Sequence, residues 1–273
     1  MASNLSTIGF TFADEESFRS AMMTCASEAS VRLDCSVGHY GLWRSRTGAE
    51  VWFHLGQSDD GNTEIFGLTP FFEGQSDVAL KITGPIAREG DNPFEGALTG
   101  WVSPDAANEG SYPIVFDAVD FAALNDAVWP DVRHVRLTGF AREVQAFSSD
   151  EAYYAARGAA DAEHPKLASH AFIPVGLFAA AQAGEGANDN EPGDASSNAD
   201  APNGPTSSAL LTGKILDHRT LTNEASGNAF VWMLVESLEA TFDIIADPAV
   251  ITGELTDGGT IEAAVWMFGR MLD

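Results

Sequence analysis

Glu50 and His54 lie four residues apart in the run "EVWFH", with Trp52 between them. If the run is a strand, its period of two puts all three on one face. A carboxylate and an imidazole so placed can share a metal ion or divide acid and base roles. Two groups do not close a ligand set, so the competing reading is an ordinary polar edge beside a buried Trp. Glu50 and His54 are the candidate metal ligands on this basis. The remaining histidines, His39, His134, His164, His170 and His218, are scattered, and none has a ligand spacing to a second His. "SDDGNTE" (Ser58 to Glu64) puts carboxylates around a Gly but lacks the ligand spacing of an EF-hand, which favours a solvated turn. Phosphate-binding, dinucleotide-binding, nucleophile-elbow and zinc-protease motifs are all missing from the sequence. No cofactor is therefore expected and no catalytic residue is assigned.

A second constellation lies near the end of the chain. Trp232, Phe242, Trp266 and Phe268 could form a platform on which bases stack. From Ala209 onward, however, 3 basic residues face 10 acidic ones. Such a surface cannot funnel phosphates, so core packing is the stronger reading of these rings. Trp232, Trp266 and Arg270 are kept as candidate binding residues.

These residues need elements to hold them. "IGFTF" (Ile8 to Phe12) alternates like a short strand. In "ADEESFRSAMMTCASEAS", Phe18, Met22, Cys25 and Ala29 share a helical face, Asp14 can cap the first turn, and Glu15 and Glu16 suit the helix dipole. "YGLWRSRTGAEVWFHLG" reads as a hairpin turning at "RTGA". In "DVALKITG", Val78, Leu80 and Ile82 alternate with Ala79, Lys81 and Thr83, the pattern of a half-buried strand. "GALTGWVSP", "YPIVFDAV" and "RHVRLTGFAREVQAF" are further strands, with a short helix expected in "DFAALNDAV". Ser148 and Glu151 have the capping-box spacing, which predicts another helix there.

"AGEGANDNEPGDASSNADAPNGPTSS" (Ala183 to Ser208) holds no aromatic or large apolar side chain. It has nothing to offset an ordering entropy of roughly 1–2 kcal/mol per residue, and reads as a disordered acidic linker. Beyond it, "FVWMLVESLEATFDIIAD" (Phe230 to Asp247) carries bulky side chains on every face. As a helix it would need complete burial, which a unit of 65 residues cannot supply. As a hairpin split at "ESLEA", Phe230, Trp232 and Leu234 oppose Val231, Met233 and Val235. With strands in "LLTGKILDHRTLTN" and "GGTIEAAVWMFGRML", the tail would curl into a small barrel. The expected fold class is α+β, mainly β. Residues 1–165 form an N-terminal α+β unit with an antiparallel sheet, or on a second reading 1–90 plus a barrel-like 94–147. A connector (166–182) and the linker (183–208) follow, and residues 209–273 form the OB-like β-barrel.

The two β regions echo each other. "ALTGWV" and "LLTGKIL" share L-T-G, each is followed by an Asn-Glu loop, and "LTGFAR" and "WMFGR" close the two halves. Either an old duplication or repeated turn chemistry would give this pattern. Around Gly213, Asn223, Gly227, Phe230, Trp232, Trp266, Gly269 and Arg270, and the earlier "FIPVGLF", the chain resembles a group of uncharacterised bacterial proteins. That resemblance implies a barrel similar to an OB-fold, and no activity. The strand–helix–strand–strand opening is also similar to glyoxalase-type modules, which carry His and Glu on sheet strands.

Charge bounds the function. Asp plus Glu number 40 against 14 Lys plus Arg, a formal net charge of -26, and lysine is confined to Lys81, Lys166 and Lys214. Nucleic acids and anionic membranes repel such a chain. Solubility, or adaptation to salt, accounts for the charge without a function. Two cysteines, Cys25 and Cys35, do not make a disulfide scaffold. The start "MASNLSTIGF" lacks the basic and apolar regions of a signal peptide, so a cytoplasmic protein is expected. The leading functional expectation is a non-catalytic interaction or accessory protein with a protein partner, for which a basic one is the electrostatic complement. A small-ligand or metal-binding enzyme using Glu50 and His54, and a DNA-mimic inhibitor, are the alternatives.

Overall fold

Strands dominate, as the alternation and the glycine turns require. The structure, a computed structural model, describes residues 4–58, 60–86, 92–105, 107, 109–158, 167–177 and 205–272. The expected linker lies outside the described residues except for its end. There, Ser207 is buried, with its hydroxyl donating to Asp117 at 2.6 Å.

The N-terminal part is a helix on a four-stranded sheet. Helix α1 (Glu15–Glu28) starts at Asp14, whose carboxylate accepts the Ser17 N–H at 2.7 Å. It buries Met22 and Cys25. Strands β1 (Val31–Cys35), β2 (Gly38–Arg44), β3 (Ala49–Gln57) and β4 (Thr63–Phe72) pair antiparallel in chain order. The expected hairpin is β2–β3. "IGFTF" is not a strand. Ser6–Ile8 form a 3-10 turn that ends on Gly9 at φ +83°, a left-handed conformation favouring glycine. Its carbonyls are taken by the loop 223–228: Asn223 donates to Ile8 O at 2.8 Å, Ser226 to Gly9 O at 2.6 Å and Asn228 to Thr11 O at 2.7 Å. With those acceptors engaged there is no ladder to join, and the strand–helix–strand–strand opening is absent.

The remaining strands are β5 (Val78–Ile86), β6 (Ala97–Val102), β7 (Tyr112–Ala118), β8 (Asp131–Phe147), β9 (Ala171–Ile173), β10 (Ser208–Thr222), β11 (Ala229–Ser237), β12 (Ala240–Ala246), β13 (Ile251–Thr252) and β14 (Thr260–Met271). They build two five-membered rings sharing one antiparallel pair, β8–β14. One ring runs β8, β5, β6, β7, β14 and closes with a parallel β7–β14 contact. The other runs β14, β10, β11, β12, β8 and closes with a parallel β12–β8 contact. Each has the five staves of an OB-like barrel. The tail does not close on itself, however: four staves come from residues beyond 205, and the fifth is β8. Helix α2 (Asp150–Arg157) follows β8, capped by Ser149 rather than Ser148. The short helix of "DFAALNDAV" is a 3-10 turn, Phe121–Leu124.

The rings are related by a pseudo-twofold. Asp117 of β7 pairs with Phe268, and Asp243 of β12 pairs with Thr138. Phe116-Asp117 and Phe242-Asp243 are thus equivalent, as are Thr138 and Phe268. These last two face each other in the β8–β14 register, which places the pseudo-axis between them. Gly139 and Gly269 are equivalent too: a Cβ on the first would press first on Ile244, and on the second on Phe116. The L-T-G echo does not follow this symmetry, since it matches a second strand (β6) with a first strand (β10). The glycines of "LTGFAR" and "WMFGR" follow it, but their arginines do not, since Arg270 is equivalent to Phe140.

The β11–β12 hairpin explains its own sequence. Val231, Met233, Val235, Phe242 and Ile244 fill the barrel interior. Phe230, Trp232 and Ile245 fill a second core, between the barrel and the four-stranded sheet. Fully burying a side chain such as Phe230 contributes roughly 1.5–3 kcal/mol, and this hairpin does so on both faces. No described helix is long and apolar enough to cross a membrane.

Candidate functional site

Where the four-stranded sheet crosses the β8–β14 ribbon, five charged side chains meet. Glu50 comes from β3, Arg44 from β2, Glu73 from the residue after β4, Arg136 from β8 and Arg270 from β14. Glu50 is fully buried, and Trp52 donates to its Oε2 at 2.8 Å. Its Oε1 accepts from Arg44 at 2.5 Å and from Arg270 at 3.2 Å. Glu73 accepts from Arg44 at 3.0 Å and is also bound by Arg136 and Arg270. Arg270 lies over the Phe71 ring, 5.7 Å from its centre. Burial pushes the Glu50 carboxyl above the ordinary range, against the pull of Arg270, Trp52 and Arg44. Glu73 is pushed the same way by burial, but Arg270, Arg136 and Arg44 together hold it below that range.

His54 is on the same face of β3 but in a separate network. Its ring stacks on Phe94 at 5.2 Å and meets Tyr40 edge-on at 5.5 Å. Asn92 Oδ1 accepts the Phe94 N–H at 3.1 Å, and Asn92 Nδ2 donates to Glu95 at 2.9 Å. That fixes the amide orientation, so Nδ2 also donates to His54 Nδ1 at 3.0 Å. The ring proton is therefore on Nε2, which donates to Thr69 Oγ1 at 3.1 Å. In this tautomer the imidazole cannot take a proton from Thr69. Burial lowers its pKa to about 4, so it is neutral at pH 7. Glu95 Oε1 lies 3.7 Å from Nδ1. Among the described residues no group of three His, Cys, Asp or Glu side chains is placed to hold a metal ion.

Trp232 and Trp266 are not a shared platform. The Trp232 indole is buried and donates to Asp243 at 2.7 Å, while Arg219 lies over its ring at 5.5 Å. Trp266 donates to Asp117 at 2.7 Å. Each indole thus serves one of the two pseudo-equivalent aspartates. Asp243 is wholly buried and also accepts the backbone N–H groups of Gln75 at 2.9 Å and Ser76 at 2.8 Å. A side chain on Gly74 would overlap this carboxylate, so the loop can wrap it only with glycine there.

The structure therefore brings Glu50 and Arg270 together and leaves His54, Trp232 and Trp266 in separate settings. Sequence reasoning missed Glu73, Arg44, Arg136 and Asp243. Only Asp243 carries a sequence signal, the Phe-Asp pair repeated in both halves. No family model, curated protein or solved structure matches the chain.

Proposed function

We propose that the protein is a non-catalytic interaction protein that offers a carboxylate-rich exterior to a basic protein partner. One observation carries the reading: among the described residues, most arginines pair with the chain's own carboxylates. Arg44, Arg136 and Arg270 bind Glu50 and Glu73, Arg157 binds Glu262, Arg133 binds Asp131, and Arg46 binds Glu224. Acidic groups outnumber basic ones 40 to 14, so most carboxylates have no arginine or lysine to neutralise them. Such a surface steers a cationic partner and suppresses anionic ones. The saturated hydrogen bonding of Glu50 and the tautomer of His54 favour structural roles over proton transfer.

The test is capture by the immobilised full-length chain at about 50 mM and about 500 mM salt, where screening differs several-fold. A basic protein retained at low salt and released at high salt supports the reading. No salt-released partner overturns it. Competition by DNA for that partner would identify the protein as a nucleic-acid mimic.

A further inference from the structure

Beside the charged cluster is a pocket of about 300 Å³, and Arg46, Arg219, Gln75, Phe72, Leu221 and Trp232 line it. We propose that it binds a small oxyanion, a carboxylate or a phosphate, independently of any protein partner. Its volume is at the lower end of the range for small-ligand sites, and its lining mixes apolar floor with a few polar groups.

Both arginines are held in place by their own carboxylates. The two oxygens of Glu224 accept the backbone N–H and the Nε–H of Arg46, at 2.9 Å and 2.5 Å. Asp217 takes one terminal nitrogen of Arg219 at 2.7 Å, and the guanidinium rests on Trp232. Among the described residues, neither terminal nitrogen of Arg46, nor Nε or Nη1 of Arg219, nor the Gln75 side-chain amide has a partner. A planar guanidinium with free donors matches an oxyanion better than an ammonium does.

The nearest carboxylate in the lining, Glu73, offers little repulsion, because three arginines already bind it. Counting Arg44, Arg46, Arg136, Arg219 and Arg270 against Glu50, Glu73, Asp217, Glu224 and Asp243, this corner is balanced. The chain as a whole is not, at -26. An anion arriving here meets donors and no local excess of negative charge, while the distant carboxylates are screened beyond about 8–10 Å at physiological salt.

The experiment is amide NMR of the full-length protein titrated with inorganic phosphate and with citrate, ionic strength being matched with chloride. Saturating shifts at Thr47 and Gln75 are expected for one probe or both, with a midpoint under about 10 mM. Which probe saturates identifies the oxyanion. The double variant Arg46→Gln/Arg219→Gln should raise the midpoint at least about tenfold, since it removes two charge-assisted donors. Both side chains are exposed, at 92% and 61%, so the variant should fold. Arg32→Gln, at a distant exposed pair, should leave the midpoint unchanged. Failure of both probes to saturate, or saturation that survives in the double variant, overturns the proposal.

Discussion

Arg136 and Arg270 stand directly opposite each other across the β8–β14 ladder, and Glu73 binds both. Like charges in that relation repel, so the carboxylate between them is a structural requirement of the ribbon. Its removal would leave two guanidinium groups, 16% and 13% exposed, without their shared counter-ion.

Glu73→Ala should therefore cost about 1.5–3 kcal/mol in urea unfolding, the range for losing hydrogen bonds to a charged group that is only partly buried. Glu15→Ala, which breaks an exposed pair with Arg19 and removes one anion from the first turn of α1, should cost under about 1 kcal/mol. Equal effects of the two substitutions would show that the cluster is not buried as described.

Gly74 and Asp243 should behave as a unit. Asp243→Asn replaces one acceptor oxygen with a donor that faces N–H groups, and should cost about 1–3 kcal/mol for the orphaned donors. Gly74→Ala should destabilise by clashing with the same carboxylate. Gly74→Ala combined with Asp243→Ala should cost less than the sum of the two single substitutions, because the second removes what the first strikes. Strict additivity would show that the loop does not wrap the aspartate.

His54 should give stability a pH dependence above the carboxylate range. Its pKa falls from 6.5 in the unfolded chain to about 4 in the folded one, because burial disfavours the cation. The unfolded chain protonates first. The contribution is complete above pH 6.5, is lost as pH falls toward 4, and amounts to about 3 kcal/mol. Glu50, with its raised pKa, works in the opposite sense over part of that window. The comparison with His54→Gln isolates the imidazole: the variant should show a flatter loss between pH 6.5 and 4. Parallel curves for the two proteins would contradict a buried neutral ring.

The shared ribbon predicts that neither ring folds alone. A fragment of residues 205–273 lacks β8, and the unpaired edges of β12 and β14 should leave it without cooperative unfolding. Addition of a peptide spanning 131–147 should restore a sigmoidal transition by circular dichroism. A fragment that unfolds cooperatively without the peptide would show that β8 is dispensable.

Local pattern accounts for most of what the sequence revealed. Val78, Leu80 and Ile82 alternate because β5 has one buried face, and the bulk on both sides of Phe230–Val235 marks a strand between two cores. The mainly β, α+β class follows from such signals. β1 and β4 escaped notice for the same reason in reverse. "VRLDC" is short and polar, while β4 exposes Ile65 and Phe66 at an edge and is interrupted by a register shift opposite His54 and Leu55. "IGFTF" misled because tertiary hydrogen bonds from Asn223 and Asn228 overrode a strand-like pattern. The charged cluster had no local signature at all. Glu50 and Arg270 meet only because the four-stranded sheet lies across the pseudo-axis, a relation between distant segments that no spacing encodes.

The pairing of Thr138 with Phe268 also has a consequence for synthesis. While β8 (Asp131–Phe147) emerges from the ribosome, the strand it needs, β14, begins more than a hundred residues further along the chain. The nascent first half must wait with an open seam, its edge amides and apolar interior exposed to other chains. Long-range closure of this kind slows folding, so synthesis of β14, rather than completion of β5 to β8, sets when the first ring can close.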